Sequence, residues 1–406
     1  MASMGTNSNG HKRKKVAVMF GGRSVEHEIS VITGLQLIKA LDPIRWDPYP
    51  VYIAPSGKWY YGKKLLDKSF YLAMPGSLSE VTEVTLLPKP GVGGLTILQN
   101  PEDHASPVIP IDIFLPAFHG TYGEDGSIQG LFELADVTYT GCGVLGSILG
   151  MSKYHSKKIV EAHGVPVLPC QVINRESVEA DFGKHLTSLR DQVIKRLGNF
   201  PLFVKPCNLG SSIGVVRATC EEELDSALLH ALKYDVAAMV EPCLDKKLEI
   251  NVSVLDDPLE PIASVVEIPV SSTGKELTYE DKYLRGGSKK GDDSMQGMAA
   301  LTRVIDPEDL DPAVKEKARS YAVTAFKALN ASGVSRIDFM LDTTNGVLYF
   351  NEINTIPGSF SFYLWMNSKP PVFYTELLNR IISVAQTKAV RKSSVERQVG
   401  FKALKK

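Results

Sequence analysis

The chain has 406 residues, 44% of them hydrophobic, enough for a large core and, at about 150 residues per domain, for two or three domains. With 45 Lys+Arg against 46 Asp+Glu its net charge is −1, which argues against a bulk polyanion binder and leaves room for a local basic cleft. Five cysteines without a C-x-x-C pair argue against a disulfide framework or zinc site and fit a reducing compartment. No apolar run reaches the ~18 residues of a membrane span.

Residues 1–15, polar and basic, read as a disordered leader or tag. An apolar run at 16–20, the turn Gly21-Gly22-Arg23-Ser24 and a helical pattern at 26–41 make a strand–turn–helix unit, with a second strand at 50–54. The stretch 55–110 reads as an insertion with short strands at 81–87 and 95–98, since prolines and Gly91, Gly93 and Gly94 interrupt it. Its Trp59, Tyr60 and Tyr61 suggest a local core or a subunit contact. A buried strand at 111–116, a turn at His119-Gly120, a helix at 127–135 and a strand near 137–140 continue an α/β alternation that predicts an open, mostly parallel sheet.

Beyond Cys142 the pattern predicts a helix at 152–163, strands at 201–206, 215–217 and 237–241, and an amphipathic helix at 221–233 with Leu224, Leu228 and Leu232 on one face. Leu248, Ile250, Val252 and Val254 alternate with Glu249, Asn251 and Ser253, a half-buried strand, and 263–268 is another. Residues 271–297 form a long glycine-containing loop of a length usually functional or disordered. A helix at 312–330 opens with Asp311 as N-cap and Pro312 behind it, and 334–341 and 347–352 flank a hairpin turn. The last stretch, from about 389, reads as a loose basic tail.

Three patterns carry chemistry. On the hairpin, Arg336 and Asp338 share one face of their strand, as do Glu352 and Asn354 of theirs. If Asp342 pairs with Gly346, Arg336 lies opposite Glu352 and all four point the same way, whereas a one-residue slip separates the two pairs. Two carboxylates and an amide oxygen on one face suit Mg²⁺; the same residues also suit a solvated face with an Arg–Glu cross-strand pair. Lys205 precedes the loop Cys207-Asn-Leu-Gly-Ser-Ser-Ile-Gly214, whose backbone N–H groups and Ser211 and Ser212 hydroxyls can hold phosphate oxygens, although an ordinary β-turn has similar composition. Neither a Walker A loop nor G-x-G-x-x-G is present. Glu241 and Glu249 flank a connection where carboxylates can hold an adenine amino group and ribose hydroxyls, or simply face solvent.

These pieces belong to an ordered set: Gly21-Gly22-x-Ser24-x-Glu26-x-Glu28-x-Ser30, His119-Gly120-x-x-Gly123-Glu124-Asp125-Gly126, Lys153, Lys205-Pro206 with Gly210-Ser211-Ser212-x-Gly214, Tyr279-Glu-Asp-Lys282-Tyr283, and Arg336-x-Asp338 with Asn351-Glu352-x-Asn354-Thr355-x-Pro357-Gly358. In that order, over roughly residues 16–380, the chain resembles the D-alanine–D-alanine ligases of the ATP-grasp superfamily. The resemblance implies an ATP-grasp fold: a Rossmann-like (pre-ATP-grasp) domain at 16–141, a central subdomain at 142–247, and a C-terminal subdomain at 248–388 carrying a lid at 271–297, with a tail at 389–406.

It also implies a cytoplasmic homodimer, without nucleic-acid or membrane partners, that joins two D-alanines through an acyl phosphate for peptidoglycan precursors. The implied cofactors are ATP and two Mg²⁺ ions, with Mn²⁺ as a substitute. By the same resemblance Lys153, Lys205, Ser212 and Lys282 serve the ATP phosphates, Glu241 and Leu244 the adenine, and Glu249 the ribose. Asp338, Glu352 and Asn354 hold metal. Glu26 takes the first ammonium in a hydrogen-bonded set with Ser211 and Tyr283, and His119 lies near the first carboxylate. Arg336 and the Gly358 N–H stabilise the oxyanion. Where the family has a serine that helps bind the second carboxylate this chain has Tyr363, which is expected to contact that substrate in its place and leaves D-serine open as an alternative second substrate.

Overall fold

The computed structural model describes residues 12–98, 107–179, 184–198, 200–270 and 303–396. The N-terminal part runs β1 (Lys14–Gly21), α1 (His27–Ala40), β2 (Trp46–Ile53), β3 (Trp59–Tyr61), α2 (Lys68–Leu72), β4 (Thr82–Thr85), β5 (Gly94–Ile97), β6 (Val108–Pro110), β7 (Ile113–Pro116) and α3 (Ser127–Ala135). Its seven strands lie in the order β6-β5-β4-β3-β2-β1-β7. Only β1 with β2 and β7 is parallel; β3 to β6 extend the sheet antiparallel. The stretch expected as an insertion is therefore the outer half of this sheet, and Tyr60 is buried in its core while Tyr61 stacks on Tyr49. The strand expected near 137–140 reduces to a single bridge between Tyr139 and Phe114.

Both faces of β1 are covered, which explains its unbroken apolar run. Val16, Val18 and Phe20 enter one hydrophobic cluster and Ala17 and Met19 another, the second shared with Ile128 and Phe132 of α3.

The middle part runs α4 (Val144–Met151), α5 (Lys153–Ala162), β8 (Gln171–Asn174), α6 (Arg175–Glu179), α7 (Lys184–Leu197), β9 (Leu202–Pro206), β10 (Val216–Ala218), α8 (Glu221–Ala231) and β11 (Ala237–Pro242). An antiparallel sheet, β10-β9-β11-β8, packs one face on α8 through Leu224, Leu228, Val204 and Val240. The last part runs β12 (Lys247–Leu255), β13 (Ile262–Pro269), β14 (Arg303–Ile305), α9 (Pro312–Ala328), β15 (Val334–Asp342), β16 (Val347–Asn354), α10 (Phe362–Met366) and α11 (Tyr374–Ser393). Its five strands, β14-β13-β12-β15-β16, bury one face against α9.

Helix α11 runs past the expected boundary at 388 into the stretch read as tail, and it returns to the first sheet. Leu377, Leu378, Ile381 and Ile382 share a core with Val16 and Val18, Trp46 Nε1 donates to Asn379 Oδ1 at 2.7 Å, and Thr375 Oγ1 donates to the Ala40 carbonyl at 2.8 Å.

The hairpin register differs from the expected one. Asp342 pairs with Val347, not Gly346, and the ladder continues to Phe339 opposite Phe350. Continued unchanged, that register would turn Glu352 toward the core beside Ile337. A bulge follows instead: Asn351 is the extra residue, and beyond it Asp338 pairs with Glu352 and Arg336 with Asn354. Phe350 and Ile353 stay buried while Asn351 and Glu352 both face out.

Gly34 shows how tightly α1 seats on β1. A Cβ there would lie 2.4 Å from the ring and 2.6 Å from Cβ of the fully buried Phe20. Gly34→Ala should therefore destabilise the protein by about 1–3 kcal/mol through overpacking, outweighing the ~1 kcal/mol that alanine adds to a helix. A lower urea midpoint with unchanged slope is the expected result; a higher midpoint would contradict it.

Candidate active site

The polar faces of the middle and last sheets confront each other across a cleft, closed at one end by turns of the N-terminal part. One cross-strand row runs through four strands of the last sheet: Glu267, Asn251, Asp338 and Glu352. The adjacent row holds Ser253, Arg336 and Asn354. Side chains directly opposite on adjacent strands share a face, so the bulge brings the hairpin's charged residues into one array.

Arg336 donates Nε and Nη2 to the two oxygens of Asp338, both at 2.7 Å, and Asn354 Nδ2 donates to Asp338 Oδ2 at 3.0 Å. Burial opposes the charge of Arg336, but Asp338 overcomes that and holds the guanidinium firmly protonated. Lys153, at the start of α5, reaches the Leu209 carbonyl at 2.7 Å and Glu352 at 3.0 Å. Burial disfavours its charge, yet Glu352 and other anions raise its pKa overall. Asp338, Glu352 and the Asn354 amide supply the oxygen donors a Mg²⁺ ion takes alongside phosphate oxygens. Among the described residues no group of three or more His, Cys, Asp or Glu is suited to a metal by itself, so an ion here would draw on that amide and on its substrate.

Across the cleft Glu241 is buried on β11 between Lys157 and Lys205. Burial pushes its carboxyl up, but the two ammonium groups prevail and bring its pKa down to about 2. Lys205 Nζ also donates to Asn351 Oδ1 at 3.2 Å, so the bulge residue links the two sheets. Ser211 and Ser212 adopt left-handed φ values of 56° and 58°, strained backbone for residues with a side chain and a common mark of functional loops.

At the closed end Ser211 Oγ donates to Glu26, which is itself buried. Gly120, at φ +76°, leaves room for that carboxylate: a Cβ there would lie 2.7 Å from Glu26 Oε2. His119 is buried with Nε2 at 2.9 Å from Thr33 Oγ1. Glu124 accepts from the N–H groups of Gly120 and Ile356, both at 2.9 Å, and from Thr355 Oγ1 at 3.2 Å, tying this turn to the loop that ends in Gly358. Burial and the nearby Glu26 raise Glu124 to about 7 against those three donors.

Glu26, His119, Lys153, Lys205, Ser211, Ser212, Glu241, Leu244, Glu249, Arg336, Asp338, Glu352, Asn354 and Gly358 all line the cleft, as the sequence reading expects. Tyr363 does not: it is buried behind the wall with its hydroxyl donating to Glu267 Oε1 at 3.1 Å. Lys282, Tyr283 and the whole loop at 271–297 lie outside the described residues. Sequence reading overlooked Lys157, although it stands one turn from Lys153 on the same helix face. It also gave no role to Glu124, which the 119–126 motif includes, to Glu267, a charge inside an apolar strand, or to Arg303, which carried no signal.

A cleft between two sheets, with lysines facing a phosphate-type loop and carboxylates facing them, marks a nucleotide-using enzyme of the ATP-grasp kind. The family profile D-ala D-ala ligase N-terminus matches residues 15–142, and D-ala D-ala ligase C-terminus matches residues 159–383. D-alanine–D-alanine ligase A of Bradyrhizobium diazoefficiens is 36% identical over 386 residues, 94% of this chain and 98% of that protein. The D-alanine–D-alanine ligase of Ruminiclostridium cellulolyticum is 37% identical over 385 residues, 92% of this chain and 95% of its own. Among solved structures, the D-alanine–D-alanine ligase from Coxiella burnetii superposes with a TM-score of 0.74 at 26% identity, covering 94% of this chain and 96% of that one. The VanG D-Ala:D-Ser ligase from Enterococcus faecalis gives 0.73 at 28%, covering 92% and 100%. The chain belongs to the D-alanine–D-alanine ligase family.

Burial, with a smaller push from Arg336, lowers His119 from 6.5 to about 4 against a backbone hydrogen bond to Ile356. The unfolded chain then takes up this proton first as pH falls. The stability from a neutral His119 is complete above about 6.5 and lost progressively down to about 4, up to about 3 kcal/mol. Glu124 has the opposite sign, favouring the fold at low pH, but cancels when two proteins that both carry it are compared. The unfolding free energy of wild type minus that of His119→Gln should fall as pH drops across this window; a pH-independent difference would contradict the assignment.

Proposed function

We infer that the protein joins two D-alanine molecules into D-alanyl-D-alanine, using ATP and passing through an acyl phosphate. The observation that carries this reading is the juxtaposition of Lys153, Lys205 and Arg336 with Asp338, Glu352 and Asn354 in one cleft, next to the buried Glu26. The family membership supports it, as do relatives named for D-alanine at both positions.

The first D-alanine carboxylate attacks the γ-phosphate, and like charges oppose it. Lys153 and Lys205 reduce that repulsion, while most of the acceleration comes from positioning and preorganised charge. Mg²⁺ held by Asp338, Glu352 and Asn354 would neutralise phosphate charge when bound; we propose two ions, with Mn²⁺ able to substitute. Leu244, Glu241 and Glu249 hold the adenosine end, and Ser212 assists at the phosphates. Glu26, oriented by Ser211, holds the ammonium of the first D-alanine, with His119 near its carboxylate. The amine of the second D-alanine then attacks the acyl carbon, the C–N bond forms and phosphate leaves. Arg336, always charged, and the Gly358 N–H stabilise the tetrahedral oxyanion. His119 and Glu124 both bond to Ile356, which fixes the loop carrying Gly358.

We further propose three functional units, divided near 141 and 247, and a homodimer in the cytoplasm, where peptidoglycan precursors form. Five free cysteines fit that compartment, and among the described residues no helix is long and apolar enough to cross a membrane. The product would feed a step that attaches a D,D-dipeptide to a cell-wall precursor.

Phosphate release from ATP with D-alanine alone, together with formation of the dipeptide, tests the reading, and its absence would overturn it. A faster reaction when D-serine is added, giving the mixed product, would select the alternative acceptor. Arg336→Ala should lower kcat by roughly 10²–10³-fold with the KM for ATP little changed. Wild-type kcat in that variant would remove Arg336 from the oxyanion role.

A further inference from the structure

An amino acid that attacks through its amine carries a carboxylate into the cleft, and a buried anion without a counter-charge is costly. Among the described residues five cationic side chains line this cleft: Lys153, Lys205, Lys247, Arg303 and Arg336. Lys153 and Lys205, assigned above to the ATP phosphates, are tied to Glu352 and Glu241. Lys247 stands 3.5 Å from Glu249, and Arg336 commits Nε and Nη2 to Asp338. Arg303 differs in being built into the cleft wall by a carboxylate and a ring.

Arg303 lies on β14, paired with Pro269 of β13, and its side chain is 8% exposed. Its Nη1 donates to Glu267 Oε2 at 2.9 Å, and its Cζ sits 3.9 Å from the centre of the Tyr363 ring. The other oxygen of Glu267 accepts from Tyr363 Oη and Asn251 Nδ2, both at 3.1 Å. A carboxylate in plane and a ring beneath fix the orientation of a guanidinium, whose planar fork matches a ligand carboxylate. Glu267 shares its cross-strand row with Asp338, which binds Arg336. Arg303 stands on β14, three strands from β15 and so about 14 Å away at about 4.8 Å per strand, a span that the Arg303 side chain and an α-amino acid fill together.

We infer that Arg303 binds the carboxylate of the second amino acid and that Tyr363 and Glu267 position it. Tyr363 thus acts from behind the wall, through the guanidinium stacked on it, rather than by touching the ligand. The inference rests on the ligase reading above and assigns the acceptor side of the site.

The test separates the two half-reactions. Hydroxylamine, which has no carboxylate, traps the acyl phosphate made from ATP and D-alanine as D-alanyl hydroxamate. Wild type, Arg303→Gln and Arg303→Lys should form it at comparable rates. With D-alanine as acceptor, Arg303→Gln should raise the acceptor KM roughly 10- to 100-fold, and Arg303→Lys less. With D-alaninamide as acceptor the same variant should change little. Tyr363→Phe, which keeps the ring, should raise only the acceptor KM, and by less than Arg303→Gln.

An unchanged acceptor KM in Arg303→Gln overturns the inference, as does an equal loss toward D-alaninamide. Full recovery in the Arg303→Gln/Glu267→Gln double variant also overturns it, since Arg303 would then serve only to neutralise Glu267. Absence of hydroxamate with the wild type would instead defeat the ligase reading itself. Melting curves identify any variant that has lost its fold, and Arg303→Lys then carries the comparison.

Discussion

Side chains on a strand alternate between two faces, so a hairpin that supplies both a core and a polar site must keep its parity along its whole length. Here the turn sets a register that would send Glu352 among the apolar side chains, and the bulge at Asn351 corrects it immediately before the charged pairs begin. The ion pair from Lys153 to Glu352, the hydrogen bond from Asn354 to Asp338 and the bridge from Lys205 to Asn351 all depend on that one extra residue. A bulge also bends and twists its strand, which suits a sheet that must present a concave face to a ligand.

The cleft is an arrangement of paired charges rather than of single ones. Glu241 lies between two lysines, Asp338 against Arg336, Glu352 against Lys153, and Glu267 against Arg303. Each pair sits where removal of one member would strand a buried charge, which is far more costly than the pair itself is stabilising. The near-zero total charge of the chain is the sum of such local balances and says little about the field inside the cleft. That field is what a reaction between two anions requires.

Much of this was legible in the sequence because ordered motifs carry it. The strand–turn–helix start, the Lys205 strand with its serine loop, and the paired residues of the hairpin all fall where residue type and spacing place them. The hairpin register was not, because a bulge leaves no residue signature when the inserted residue is an ordinary Asn. Lys157 escaped because a buried lysine looks like a surface lysine until its partners, Glu241 from β11 above all, are brought to it by folding. Arg303 escaped for the same reason: its partners Glu267 and Tyr363 lie 36 residues upstream and on α10. Tyr363 was read as a ligand contact because its position in the motif was known and its orientation was not. The short strands expected at 81–87 and 95–98 are present as β4 and β5, but their Pro and Gly breaks give no sign that they extend the first sheet.

The return of α11 to the first sheet has a consequence for synthesis. The face of β1 that carries Val16, Val18 and Phe20 is closed in part by Leu377, Leu378, Ile381 and Ile382. Those residues lie far along the chain from β1, so the first strand leaves the ribosome long before its cover exists. Contacts of that sequence separation are entropically expensive to close and slow to form, and an apolar strand face left waiting is a surface on which chains associate wrongly. Completion of this core is thereby deferred until α11 has been made, and the closing helix acts as a latch on a molecule whose cleft-lining segments all precede it.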